Sequence, residues 1–135
     1  VSEIKMALDQ SAIYFLVDTL DNLQKGGRIG KAQAYLGSIL NMKPILTARD
    51  GEVHPYERVR SRNKAIGRLS AIAAGHAPLS DLCILHTTTP DEAQKLRETL
   101  GDLLPTEDIL MSRIGPVVGT HLGSGALGIA MRASN

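Results

Sequence analysis

Two glycine-rich stretches in this chain of 135 residues offer the clearest places for chemistry. The first is Gly26-Gly27-Arg28-Ile29-Gly30. Adjacent glycines let the backbone turn sharply and present its N–H groups. With a guanidinium beside them and a helix starting after them, such groups suit a carboxylate or a phosphate. The same residues also make an ordinary helix-to-helix turn with a solvated arginine, and the residues alone leave both readings open. The second stretch, Gly115 to Gly128, has five glycines in fourteen residues. It carries Thr120, His121 and Ser124, each able to donate a hydrogen bond to an anion, and His121 adds charge when protonated. The plain alternative is a glycine-rich connection between strands with a partly exposed histidine.

Two named motifs fail here. Gly123-x-Gly125-x-x-Gly128 has the form of a dinucleotide fingerprint, but that fingerprint needs a following helix and an acidic residue about 20 positions on. Only seven residues follow Gly128. The nucleophile pattern Gly-x-Ser-x-Gly is broken because Leu122 stands at its first glycine.

The other polar residues read as structural. Arg58, Arg60, Arg62, Lys64 and Arg68 form a basic run. Positions 60, 64 and 68 follow one helix face, so a solvated face is the expectation, with docking of an acidic partner as the alternative. His54, His76 and His86 are scattered and lack the i, i+4 spacing of a helical metal site. Cys83 reads as a small buried hydrophobe. Asp18 reads as a turn residue or a carboxylate base, with Thr19 as a cap beside it. No nucleophile–base pair is evident. The expectation from these residues is no catalytic residue, no metal and no cofactor.

These groups must be positioned by elements that the apolar spacing predicts. Val1–Leu8 reads as a helix remnant and Ala12–Val17 as a buried strand. Thr19 to Lys25 is a short helix with Leu20 and Leu23 inward, ended by Gly26-Gly27. Gly30–Leu40 is a second helix, with Ala32, Tyr35, Leu36, Ile39 and Leu40 at helical spacing. Pro44–Ala48 and Glu52–Glu57 flank Arg49-Asp50-Gly51 as a hairpin. Arg60–Ala74 is a helix, Leu82–His86 a strand, and Thr89-Pro90-Asp91-Glu92 a capping box opening a helix to Leu100. Ile109–Ile114 is a strand, 115–125 a loop, and Leu127–Arg132 the closing strand. The expected fold is α/β of the α+β type. It is a single layered domain with a mixed, largely antiparallel β-sheet flanked by helices.

Composition narrows the function classes. The chain has 15 Lys+Arg against 14 Asp+Glu, a formal net charge of +1, which supports neither a bulk nucleic-acid binder nor a membrane-surface binder. Hydrophobic residues at 43% exclude a disordered tail. Aromatics are only 3%, so stacking platforms for bases or sugars are scarce and the core is aliphatic. One cysteine excludes an internal disulfide and fits a reducing compartment. No apolar run is long enough to span a bilayer.

The glycine stretches, together with Phe15–Ile29, Leu36–Ile45, Asp50-Gly-Glu-Val53, Arg58-Val-Arg-Ser-Arg62 and Ile114–Gly128, resemble the C-terminal domain of the DegV family of bacterial fatty-acid-binding proteins. The matches run in the family's order from Phe15 onward. The resemblance implies that residues 1–135 form a C-terminal lipid-binding domain cut from a longer parent whose N-terminal domain is absent. It implies a two-domain cytoplasmic protein that holds a long-chain fatty acid between its domains. Hydroxyls from the N-terminal domain and a histidine matching His121 would hold the carboxyl. Arg28 matches the family arginine near the ligand head or partner surface. Some members present the fatty acid to a separate fatty acid kinase, so the domain would be a carrier. On this basis the ligand-binding set is Arg28, Ile29, Leu36, Leu40, Ile45, Gly119, Thr120, His121, Gly123 and Gly125. The family loop usually reads Gly-Thr-His-x-Gly-Pro-Gly, and here Ser124 replaces the proline. The alternative is an enzyme or binding module for a small anionic ligand, phosphorylated or carboxylated, using the same loops.

Overall fold

The computed structural model describes residues 11–38, 42–49 and 52–134. The Val1–Leu8 stretch, Ile39, Leu40, Asn41 and the Asp50-Gly51 turn lie outside the described residues. Six strands form one sheet in the order β3-β2-β1-β6-β4-β5: β1 (Ser11–Leu16), β2 (Lys43–Arg49), β3 (Glu52–Val59), β4 (Leu79–His86), β5 (Leu110–Arg113) and β6 (Leu127–Ala133). Every pairing is antiparallel except β4 with β5, which is parallel. The helix between those two strands supplies the crossover that parallel pairing requires. The mixed, largely antiparallel sheet expected from the sequence is present.

Alternation along each strand sends side chains to opposite faces. Leu16, Ile45, Ile84 and Ile129 point to one face, where α2 (Arg62–Gly75) and α3 (Pro90–Thr99) cover them with Leu69, Ile72 and Leu96. Phe15 and Leu46 point to the other face. A short helix, α1 (Asp21–Lys25), brings Leu23 there, and a 3-10 helix (Gly30–Ser38) brings Ala32. The second face is only partly covered: Leu110 on β5 is 67% exposed.

Several local readings change in type. The expected Gly30–Leu40 helix is 3-10 rather than α over its described part. Leu20 precedes α1 as its N-cap, and the Thr19 hydroxyl accepts a hydrogen bond from the Asp21 N–H at 3.1 Å. Ser61 caps α2 by accepting from the Lys64 N–H at 3.2 Å. The strands β3 and β4 run longer than read. Pro55 is tolerated within β3 because that strand is an edge and the register shifts beside it, between Ile45 and Leu46.

Two corrections bear on the site. The 115–125 stretch is not a continuous loop. Pro116 at its first turn opens a short helix, α4 (Pro116–Leu122), and Gly123 ends it at φ +80. The capping box at Thr89 does not form: Thr89 makes no side-chain cap bond, and its hydroxyl is buried without a partner among the described residues. Glu92 is drawn away to Arg62.

Candidate functional site: a cleft on the open face of the sheet

On the partly covered face lies a cleft of about 630 Å³. Its apolar wall includes Ile13 and Phe15 from β1, Leu23 from α1, Leu85 from β4 and Leu122 from α4. Its polar contributors are Arg28, Ser112, Arg113 and His121. Phe15 can lie flat against β6 because Gly128 stands opposite it, where a Cβ would come within 2.8 Å of the Phe15 Cβ.

The two glycine motifs meet at this cleft. His121 sits on α4, and its ring packs over Gly26, the first glycine after α1. Gly27 then takes φ +69, a left-handed conformation that glycine adopts without steric cost, and the chain turns toward Arg28. Arg28 is exposed and His121 is half-buried. The Nδ1 of His121 is buried and has no hydrogen-bond partner among the described residues.

The turn after α4 is held from two sides. Thr87 donates to the Gly123 carbonyl at 2.9 Å and accepts from the Ala126 N–H at 3.1 Å. The Gly125 N–H donates to Thr88 Oγ1 at 2.9 Å. From the opposite side, Arg62 donates to the Gly125 carbonyl at 2.7 Å. The Arg62 guanidinium also binds both Glu92 oxygens through Nε, at 3.1 and 2.9 Å, and Asp18 through Nη1 at 2.8 Å. Lys43 approaches the same Asp18 oxygen at 3.8 Å. Hydrogen bonding to Glu92 holds the Arg62 guanidinium above its ordinary range against the opposing effect of burial. The same bond holds the Glu92 carboxyl below the usual carboxylate range.

Arg62 is therefore not part of a solvated basic face. Lys64 and Arg68 are exposed on α2 as that reading expects, whereas Arg60, also exposed, precedes the helix; Arg68 pairs with Glu57 and Arg58 lies 5.0 Å over the Tyr35 ring. Asp18 is an ion-pair partner in a turn.

Of the expected site residues, the structure brings Arg28 and His121 into the cleft. Gly119, Thr120 and Gly123 line an adjoining cleft of about 580 Å³, with Thr87, Thr88 and Ser124. The two clefts share the wall Arg113-Ile114-Gly115. Gly125 lies in the pinned turn and lines neither. Ile29 is buried and Leu36 half-buried in the apolar cluster behind the first cleft, without lining it. Ile45 is fully buried on the opposite face of the sheet, because strand alternation turns it toward α2. Leu40 lies outside the described residues. Sequence reading missed Ile13, Phe15, Leu85, Ser112 and Arg113; for the first two, the period-2 signal is muted because Ala12–Leu16 of β1 is an unbroken apolar run. Among the described residues no cluster of His, Cys, Asp and Glu could hold a metal ion, and no helix is long and apolar enough to cross a membrane.

Residues 1–134 match the family model described as "Uncharacterised protein, DegV family". A DegV domain-containing protein of Streptomyces coelicolor is 47% identical over 131 residues, which is 94% of this chain and 46% of that protein. The chain thus spans about half the length of the curated relatives it matches. Among solved structures, a fatty acid binding DegV family protein from Streptococcus agalactiae superposes with a TM-score of 0.86 at 31% identity, covering 99% of this chain and 48% of that one. A DegV family protein from Thermus thermophilus, described for its fatty acid binding, gives 0.84 at 34% identity over 98% and 49% of the two chains. Matched along nearly its whole length by both sequence and backbone, the chain belongs to the DegV family.

Proposed function

We propose that this chain is the lipid-binding half of a two-domain carrier for a long-chain fatty acid. The alkyl chain lies along Ile13, Phe15 and Leu85, and the carboxyl sits toward His121 and Arg28. The observation that carries the reading is one apolar cleft with a histidine and an arginine among its few polar contributors. Each methylene buried there stabilises the complex by about 0.8 kcal/mol, so a long chain needs few polar contacts. The fatty acid binding described for the Streptococcus agalactiae and Thermus thermophilus relatives supports it.

In this reading an N-terminal domain supplies the remaining ligands to the carboxyl. The bound acid is presented to a separate fatty acid kinase, which phosphorylates it. The chain acts as carrier and not as catalyst. A general-base histidine is oriented by an acceptor at its second nitrogen. No such partner holds Nδ1 of His121 among the described residues. The free Cys83 suits the reducing cytoplasm, where we place the carrier.

A second reading rests on the adjoining cleft. Its hydroxyls from Thr88, Thr120 and Ser124, with Arg113, suit a small anionic ligand.

Native mass spectrometry of the full-length protein, purified without added lipid, tests the choice. The expected result is a mass excess that organic extraction removes and identifies as a fatty acid. His121→Ala and Arg28→Ala should weaken fatty-acid affinity. No retained lipid and no uptake from an offered fatty-acid mixture would sink the carrier reading and favour the small anion.

A further inference from the structure

We infer that Arg62 is the positioning residue of this site: a guanidinium on the helical face of the sheet that fixes the turn following α4, the helix that carries His121 on the opposite face. Arg62 is the first residue of α2, whose Ala65, Leu69 and Ile72 anchor it in the larger core. From there it makes three kinds of contact. It binds Glu92 in the first turn of α3, Asp18 just beyond β1 and the carbonyl of Gly125. A planar fork with five donors can serve three acceptors in fixed directions, and a lysine cannot.

The turn is shaped to receive this fork. Gly125 takes φ +82, and a Cβ there would collide with the Asp18 carboxylate and lie 3.5 Å from Arg62 Nη1. The backbone thus rests directly on the Asp18–Arg62 ion pair. Thr87 and Thr88 grip the turn from its other side. The preceding residue pair is tied back too, because the Gly123 N–H closes α4 on the Gly119 carbonyl at 2.8 Å. His121 lies between those two glycines. Its position over Gly26 therefore depends on where Arg62 holds Gly125. Without Arg62, Asp18 and Glu92 would lose the cation they share and repel each other.

The test is Arg62→Lys in the full-length protein, read by NMR. The readouts are amide exchange at Gly125 and Ala126 against Leu69 as a core reference, and the imidazole resonances of His121. Expected are exchange about tenfold faster at Gly125 and Ala126, the equivalent of losing one charge-assisted hydrogen bond, with Leu69 unchanged and the His121 resonances moved. Glu92→Gln, which loosens the fork but leaves Arg62 in place, should shift the same signals less and serves if the lysine variant does not fold. Unchanged Gly125 exchange and His121 resonances, or acceleration equal to that at Leu69, would overturn the inference. Fatty-acid affinity should also fall about tenfold in Arg62→Lys. That arm alone rests on the proposed carrier function. If the unmodified protein takes up no fatty acid, the carrier reading fails and the amide and imidazole signals still decide the role of Arg62.

Discussion

The imidazole of His121 lies against the backbone of Gly26: a Cβ at position 26 would stand 3.4 Å from both Cδ2 and Nε2 of the ring. The two positions are 95 apart in sequence, yet the glycine of one motif is the floor beneath the histidine of the other. Gly26 has φ −82, an ordinary helical value, so a side chain there meets no backbone strain; its Cβ would come 3.2 Å from the Asn22 carbonyl and then touch the ring.

Gly26→Ala should therefore fold normally and bind less well. We expect the melting temperature to change by less than about 3 °C, with fatty-acid affinity reduced at most about threefold, because the added methyl meets the ring at the edge of ordinary contact. Gly26→Val should push His121 further and weaken binding more. Calorimetric titration alongside thermal denaturation of the full-length protein separates the two effects.

Gly128→Ala should act on stability instead. Its Cβ would sit 2.8 Å from the Phe15 Cβ and 2.9 Å from the Tyr14 carbonyl, in the middle of the β1–β6 ladder. Neither neighbour is a flexible tip. A loss of about 1–3 kcal/mol in urea denaturation is expected, as for other overpacked cores.

Acid should weaken the fold through Glu92. Arg62 holds this carboxyl below its ordinary range in the folded protein. A carboxyl depressed on folding contributes stability that is fully present above its unfolded value of about 4.3, and that is lost as pH falls through the folded value. The denaturation midpoint should thus decline as pH drops below about 4, and Glu92→Gln should flatten that decline. Equal slopes for the two proteins would show that other carboxylates carry the acid response.

Cys83 should label slowly. Burial pushes its thiol above the usual range, so the reactive thiolate is scarcer at neutral pH. Iodoacetamide should modify the folded protein at least about tenfold more slowly than the urea-unfolded chain, and faster as pH rises. Equal rates in the two states would contradict this.

Much of the framework was legible from spacing. The described strands and the helices α2 and α3 fall close to where the apolar pattern put them, and Gly26-Gly27 ends α1 as read. The site was less legible, for physical reasons visible at single residues. Ile45 belongs to a run, Pro44–Ala48, whose one polar member, Thr47, is itself buried, so the sequence did not say which side of the pleat each member faces. Counting glycines in the 115–128 stretch hid the Pro116 that starts α4. The capping-box pattern at Thr89–Glu92 was sound locally, but a guanidinium thirty residues upstream binds Glu92 more strongly than a backbone N–H would. Arg62 itself looked like one more cation in a run. Its partners Asp18, Glu92 and Gly125 are all distant in the chain, and no local window contains them.

The position of β6 also shapes how the protein is made. This last strand sits in the interior of the sheet, with Ser11 of β1 opposite Arg132 on one side and Leu79 of β4 opposite Ala133 on the other. Until β6 leaves the ribosome, β1 and β4 have no ladder between them, and the β1–β2–β3 hairpins and the β4–α3–β5 unit are two separate half-sheets. Folding therefore waits on the most distant pairing in the described chain, a high-contact-order closure that exposes apolar strand edges while it is pending.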